Sequence, residues 1–281
     1  MPNLLASSYN AVISWGDGTP AQTVPLQPQG TFFTVNGSHL YTREGTFTYT
    51  LTVTPANGPA ATTTGTVLVG GFVTGLYNDL FDRAPDAAGL QFWDAAIAAG
   101  ESRQQVALFF WNAPEHQAIT VDQFYQSFLG RSADAAGLAY WTNLLTSGVS
   151  GSQVAVAFST TPEFLAAHPT NDLYLLGVYL AVEGSAPAAS NVLFAEIVTA
   201  FNAGLIDHAG VTGAVLGLPE TYTNAIDDYF QSFLERSPDA AGRAFFTSEM
   251  LSGNFTPAVI GSQILGSNEY LELQNTLATG A

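Results

Sequence analysis

Arg83-Ala84-Pro85-Asp86-Ala87-Ala88-Gly89-Leu90-Gln91-Phe92-Trp93 decides how this chain is built, because the same run returns twice more. It recurs as Arg131-Ser132-Ala133-Asp134-Ala135-Ala136-Gly137-Leu138-Ala139-Tyr140-Trp141 and as Arg236-Ser237-Pro238-Asp239-Ala240-Ala241-Gly242-Arg243-Ala244-Phe245-Phe246. The aspartates lie 48 and 105 residues apart. The second interval is about twice the first, so a fourth, degraded copy is expected between them. Ser185-Ala186-Pro187-Ala188-Ala189-Ser190, continuing to Phe194, fits that register, with Pro187 in the Asp position and Ser190 in the Gly position. Every copy opens on an apolar pair (Tyr77 and Phe81, Phe124 and Phe128, Tyr174 and Val178, Phe230 and Phe233). Every copy closes on an acidic step: Pro114-Glu115, Pro162-Glu163, Pro219-Glu220 or Asn268-Glu269.

Each unit reads as helices joined by short turns. Asp86, following Pro85, suits an N-cap whose carboxylate accepts from the free amides of the first turn, and Leu90 and Trp93 then share one helix face. Ser102-Arg103-Gln104-Gln105 and Ser150-Gly151-Ser152-Gln153 have the pattern of capping boxes. Gly100 and Gly148 stand where the second helix of a unit should stop. The expected units are 71–120, 121–170, 171–225 and 226–281.

Ahead of Gly70-Gly71 the periodicity is 2, not 3.6. In Phe47-Thr48-Tyr49-Thr50-Leu51-Thr52-Val53 the apolar side chains alternate with threonines, as a half-buried antiparallel strand requires. Asp17-Gly18 ends a strand from Ala11 to Trp15, and Asn36-Gly37 marks a turn before a strand around His39 to Tyr41. The fold class expected is therefore α+β in separate parts: a small antiparallel β-sandwich segment over 1–70, then a mostly α-helical array of about four divergent repeats over 71–281.

Trp15-Gly16-Asp17-Gly18-Thr19, Gly37-Ser38-His39-Leu40-Tyr41 and Glu44-Gly45-Thr46-Phe47 together resemble the repeat of PKD-like domains. That resemblance implies that Trp15 is core, that Asp17 orders its turn, that His39 is structural and that Tyr41 closes a corner between strands. It also implies one or two strands before Asn10, for which there is little room, so an incomplete sandwich or a piece of a longer chain is expected. The run Arg83 to Trp93 resembles the signature of the bacterial family called domain of unknown function 4214, and the resemblance extends over about Gly71 to Asn275. It implies a helical fold like the phycobilisome linker domain and a place in large secreted or surface proteins, beside calcium-binding or adhesive modules. The third copy lacks the Asp and the Gly, the second lacks the Pro, and the fourth has Arg243 for Leu and Phe246 for Trp.

The chain has 281 residues, 47% of them hydrophobic, with 23 acidic and six basic side chains and a formal net charge of −17. Phosphate backbones and anionic membranes are repelled by such a chain, so no nucleic acid is expected, and without a run of about 18 uninterrupted apolar residues no membrane insertion is expected. All six basic residues are arginines and there is no cysteine, which removes Schiff-base and P-loop lysines, thiol nucleophiles and thiolate zinc sites. Charged residues make up only 10% of the chain, which with the family resemblance leads to the expectation of an extracellular or cell-surface location. No basic segment followed by an apolar run opens the sequence, so no N-terminal signal peptide is expected in this chain.

The candidate site residues fall into three sets. Asp86, Asp134 and Asp239 are N-caps held by the arginine three residues earlier, or else oxygen ligands for calcium. Trp93, Trp111, Tyr140 and Trp141 are core, or else a platform for sugar rings, with Trp111 expected to be the most exposed because it lies outside the signature. His116, His168 and His208, with the paired Asp227 and Asp228, are the candidates for catalysis in a metal-assisted (zinc) or paired-carboxylate hydrolase. No nucleophile elbow, dinucleotide fingerprint or P-loop is present. The function expected first is a non-catalytic extracellular or surface module for adhesion, carbohydrate contact or assembly of a larger secreted protein. A hydrolase with a site between helical repeats and a calcium-stabilised surface-layer component are the alternatives.

Overall fold

The computed structural model describes residues 8–29, 32–39, 45–69, 71–188 and 190–279. Tyr41, with its expected corner, and the strand expected around it beyond His39 lie outside the described residues. Six strands come first: β1 (Tyr9–Ser14), β2 (Gln22–Val24), β3 (Leu26–Gln29), β4 (Phe32–Val35), β5 (Gly45–Pro55) and β6 (Ala61–Val69). β2-β1-β5-β6 form one antiparallel sheet and β3-β4 a separate hairpin. Ala11, Ile13 and Val24 are buried, with Trp15, Leu26, Val35, Tyr49, Leu51 and Val53 packed against them, so the alternation in β5 puts its apolar residues on the inner face. Asp17 orders its turn by accepting from the backbone and the hydroxyl of Thr19 (3.1 and 2.6 Å). It also takes the Nε2 of His39 at 2.6 Å, and that ring stacks on Trp15. These hydrogen bonds, Thr19 first and His39 second, hold the Asp17 carboxyl far below the usual carboxylate range.

Helices take over at Phe72, where the change of period placed them. They are α1 (Phe72–Phe81), α2 (Ala87–Ala98), α3 (Arg103–Trp111), α4 (Pro114–Leu129), α5 (Ala135–Thr146), α6 (Gly151–Ser159) and α7 (Pro162–Ala167). The second half runs α8 (Asn171–Glu183), α9 (Val192–Asn202), α10 (His208–Leu216), α11 (Pro219–Leu234), α12 (Ala240–Leu251), α13 (Pro257–Leu265) and α14 (Asn268–Thr279). None of the described helices is long and apolar enough to cross a membrane. The chain divides into two compact units: Met1–Gly75 with Ala84–Gly100 and Leu271–Ala281, and Leu76–Arg83 with Glu101–Tyr270. The division thus groups α2 and most of α14 with the strands.

Two of the expected unit boundaries, 120/121 and 225/226, fall inside the continuous helices α4 and α11. No breaker separates the closing Pro-Glu step from the aromatic helix that follows. At 170/171 the chain does break, because Pro169 follows His168 and Thr170 caps α8. In the second compact unit α3 packs on α13 and α6 on α10. Between α6 and α10 a buried polar trio, Ser159, Thr212 and Tyr174, is fully hydrogen-bonded (2.7 and 3.1 Å). Between α3 and α13 the ring of Trp111 packs against Gly261, where any side chain would collide with it.

Candidate functional site

Three arginines recur in one geometry. The guanidinium of Arg83 lies over the ring of Tyr77 (4.8 Å), Arg131 over Tyr125 (4.9 Å) and Arg236 over Phe230 (5.1 Å). Each then forks onto a glutamate in the first turn of a later helix. Arg83 binds both oxygens of Glu115 (2.5 and 2.9 Å), Arg131 those of Glu163 (2.7 and 2.8 Å) and Arg236 those of Glu269. The arginines therefore fork onto glutamates, where the aspartates three residues on were expected; Arg131 also keeps a longer ion pair with Asp134, at 3.9 Å. Each arginine's hydrogen bonds pull Glu115, Glu163 and Glu269 below the usual carboxylate range. A side chain can span this distance only because ring and helix end are brought together by the fold, so no local spacing announces the pair.

Asp86, Asp134 and Asp239 are N-caps of α2, α5 and α12, each accepting from the amide three residues on (2.7, 2.8 and 2.7 Å). The capping boxes at Ser102 and Ser150 are both complete. Where a degraded copy is expected, the helix cap is Asn191, four residues beyond Pro187, so the register drawn through Pro187 and Ser190 is corrected. The next cap after each of these is 16 residues on for Asp86, Asp134 and Asn191 alike (Ser102, Ser150 and Asp207). The turn ahead of Asn191 is therefore longer, and that insertion hid the match.

Of the proposed ring platform, Trp111 is not the exposed member. It packs against Tyr229, Phe233 and His116. Trp93 and Trp141 are half-buried, the latter against Phe158. Tyr140 is exposed at 59%, and two rings that sequence reasoning did not single out occupy the same place after their caps: Phe92 at 63% and Phe245 at 52%. Each stands edge-to-face on its neighbour, Trp93, Trp141 or Phe246 (4.9, 5.0 and 5.3 Å). The signal was an aromatic six residues after every capping Asp, one step round the helix from the inward ring at seven.

The histidines and paired aspartates are held apart in structural contacts. His116 gives a ring nitrogen to the carbonyl of Leu80 (3.2 Å), and burial pushes its pKa down. His168 bonds the Phe164 carbonyl (2.9 Å) and lies against Gly177. The His168 ring lies tilted on Phe164 and the His208 ring meets Tyr174 edge-to-face, so these two flank one aromatic cluster. Asp227 is paired with Arg243 (2.7 Å), while Asp228 is raised by desolvation and by Asp227. Among the described residues no three His, Asp or Glu side chains gather as metal ligands. Two grooves among the described residues are shallow: one of about 410 Å³ between α6 and α10 at Gln153 and Gly213, and one of about 400 Å³ beside Arg243 and Leu251.

No curated protein and no solved structure matches the chain. Residues 57–120 and 119–168, from the end of the sheet through α7, each match the family model described as a domain of unknown function, DUF4214.

Proposed function

We propose that this chain is a non-catalytic extracellular or cell-surface module in which four divergent copies of one helical unit follow a PKD-like sandwich, and that it contacts carbohydrate. The observation that carries this reading is the repeated exposed ring, Phe92, Tyr140 and Phe245, each supported from the side by a second aromatic. A supported ring offers a fixed apolar face at little entropic cost, which suits the apolar face of a pyranose. The acidic surface disfavours anionic polymers, so a neutral polysaccharide is the ligand class.

Affinity electrophoresis through gels containing neutral α-glucan, β-glucan or soluble chitin oligomers tests this directly. Retardation in one gel, lost in Phe92→Ala/Tyr140→Ala/Phe245→Ala with the helical circular dichroism intact, is the expected result. No retardation in any gel, or equal retardation of the triple variant, would overturn it.

A further inference from the structure

Aligning the opening helices on their buried positions shows one that differs from its sisters. Leu175 and Tyr179 of α8 occupy the places of Val121 and Tyr125 in α4 and of Ile226 and Phe230 in α11, all buried. In that register the outer face of α4 carries Ile119, Asp122 and Gln126, and that of α11 carries Asn224, Asp227 and Gln231. The polar residues there have local tasks: Asp122 accepts from the Ala133 amide, Gln126 donates to Ser132, and Asp227 binds Arg243. In α8 the same three places are Leu173, Leu176 and Leu180, which remain 45%, 39% and 41% exposed. The hydrogen bond from Asn171 to Asn202 (2.9 Å) brings the end of α9, followed by the exposed Leu205, beside the start of this stripe.

We infer that the leucine stripe of α8 is the contact face for a second copy of this chain. Spacing of i, i+3 and i+7 is the seam spacing of paired helices, and it is self-complementary about Leu176 when two α8 helices meet antiparallel across a two-fold axis. Charge selects the same face. A chain of net charge −17 repels its own copy over most approaches, and α8 carries no charged residue between Asp172 and Glu183. Glu183 itself is engaged with Thr221 and Asn224, so its carboxylate is already hydrogen-bonded within the protomer. The stripe is much smaller than the about 20–30 residues per side of a stable dimer, so the association is weak and concentration-dependent. Screening the acidic surfaces strengthens it, whereas a partner held by charge complementarity would be released by salt.

The inference uses the helix alignment of the proposed repeats and not the exposed rings, so the ring variants leave it untouched. Sedimentation of the full chain over a concentration series, at low and high salt, reads the association. A monomer–dimer equilibrium strengthened several-fold by salt, and lost in Leu176→Asp and in Leu180→Gln with helicity unchanged, is expected; both replacements are the residues that α4 carries there. Because the chain has no cysteine, Leu176→Cys should oxidise to a covalent dimer, while Leu251→Cys, an equally apolar exposed site on α12, should not. A monomer throughout, a dimer indifferent to all the α8 variants, salt-driven dissociation, or growth beyond the dimer would each overturn the inference.

Discussion

Tyr179 donates its phenolic hydrogen to Glu220 at 2.5 Å, in the place where Tyr125 instead carries the guanidinium of Arg131. No arginine follows α8 as Arg131 follows α4; Ser185 stands after Gly184 where Arg131 stands after Gly130. Glu220 is satisfied by two neutral donors, Tyr179 and the side-chain amide of Asn191. Desolvation, with the glutamate's hydrogen bond and charge added, pushes the Tyr179 phenol up to about 12. This explains why the cap is Asn here and Asp in the other copies: an aspartate would abut Glu220 with no cation between them.

Asn191→Asp should therefore destabilise the protein although it keeps a good N-cap, whereas Asp134→Asn should be nearly silent. The two carboxylates of the Asn191→Asp variant repel in the folded state, which raises a folded pKa. The loss is thus full above that raised value and shrinks as pH falls through it toward the unfolded value near ~4. Thermal unfolding of both variants at pH 7 and pH 4 measures the difference.

The three forked pairs make the opposite pH prediction. Glu115, Glu163 and Glu269 have folded pKa values depressed chiefly by their arginines' hydrogen bonds. Their contribution is present above the unfolded glutamate value of about 4.3 and is lost as pH falls through the folded values. In Arg83→Gln/Arg131→Gln/Arg236→Gln the stability deficit should be constant from pH 6 to 8, then narrow below about pH 4.5. The pairs are solvent-exposed, so molar salt should narrow the deficit too. Melting curves of parent and triple variant across pH and salt test both arms.

What the sequence disclosed and what it hid divide by range. Caps at Asp86, Asp134 and Asp239 and both capping boxes act over three residues, so they could be read directly. The alternation of β5 was legible for the same reason. Arg131 and Glu163 lie 32 residues apart, and both carried simpler local explanations, a neighbouring Asp and a helix N-terminus, that concealed their partnership. Trp111 looked exposed because it stood outside the repeat, yet Gly261, far along the chain, makes its berth. Phe92 and Phe245 were passed over because helical spacing of aromatics ordinarily means core, and only packing tells the outward ring from the inward one.

Glu235 ends α11 in the left-handed region (φ 54°), where α4 and α8 have Gly130 and Gly184 (φ 63° and 69°). An L side chain there costs about 1–2 kcal/mol, part of which glycine returns through its freer unfolded chain. Glu235→Gly should raise stability by roughly 0.5–1 kcal/mol, and Gly130→Glu should lower it by a similar amount. Chemical denaturation with unchanged slope would show both, and a Glu235→Gly variant less stable than the parent would contradict the strain argument.

Gly137 and Gly242 hold the same place in α5 and α12, each three residues after the capping aspartate, yet only Gly137 has an aromatic ring against it. A Cβ on Gly137 would fall 2.0 Å from the hydroxyl of Tyr125 and 3.0 Å from the ring carbon that bears it. At Gly242, where Phe230 takes the place that Tyr125 has in the helix before, no ring atom lies within 4 Å and the nearest atom is the cap oxygen of Asp239 at 3.3 Å. Alanine at Gly137 must displace a buried aromatic that also carries Arg131, and a loss of about 1–3 kcal/mol is expected. Alanine at Gly242 gains up to about 1 kcal/mol of helix propensity against a small shift of the cap, so it should be close to neutral. The decisive variant is Tyr125→Phe/Gly137→Ala: removing the hydroxyl should recover most of the loss seen in Gly137→Ala alone. Denaturation of the single and double variants as a mutant cycle gives the coupling, and additive effects would refute the contact as the reason for the glycine.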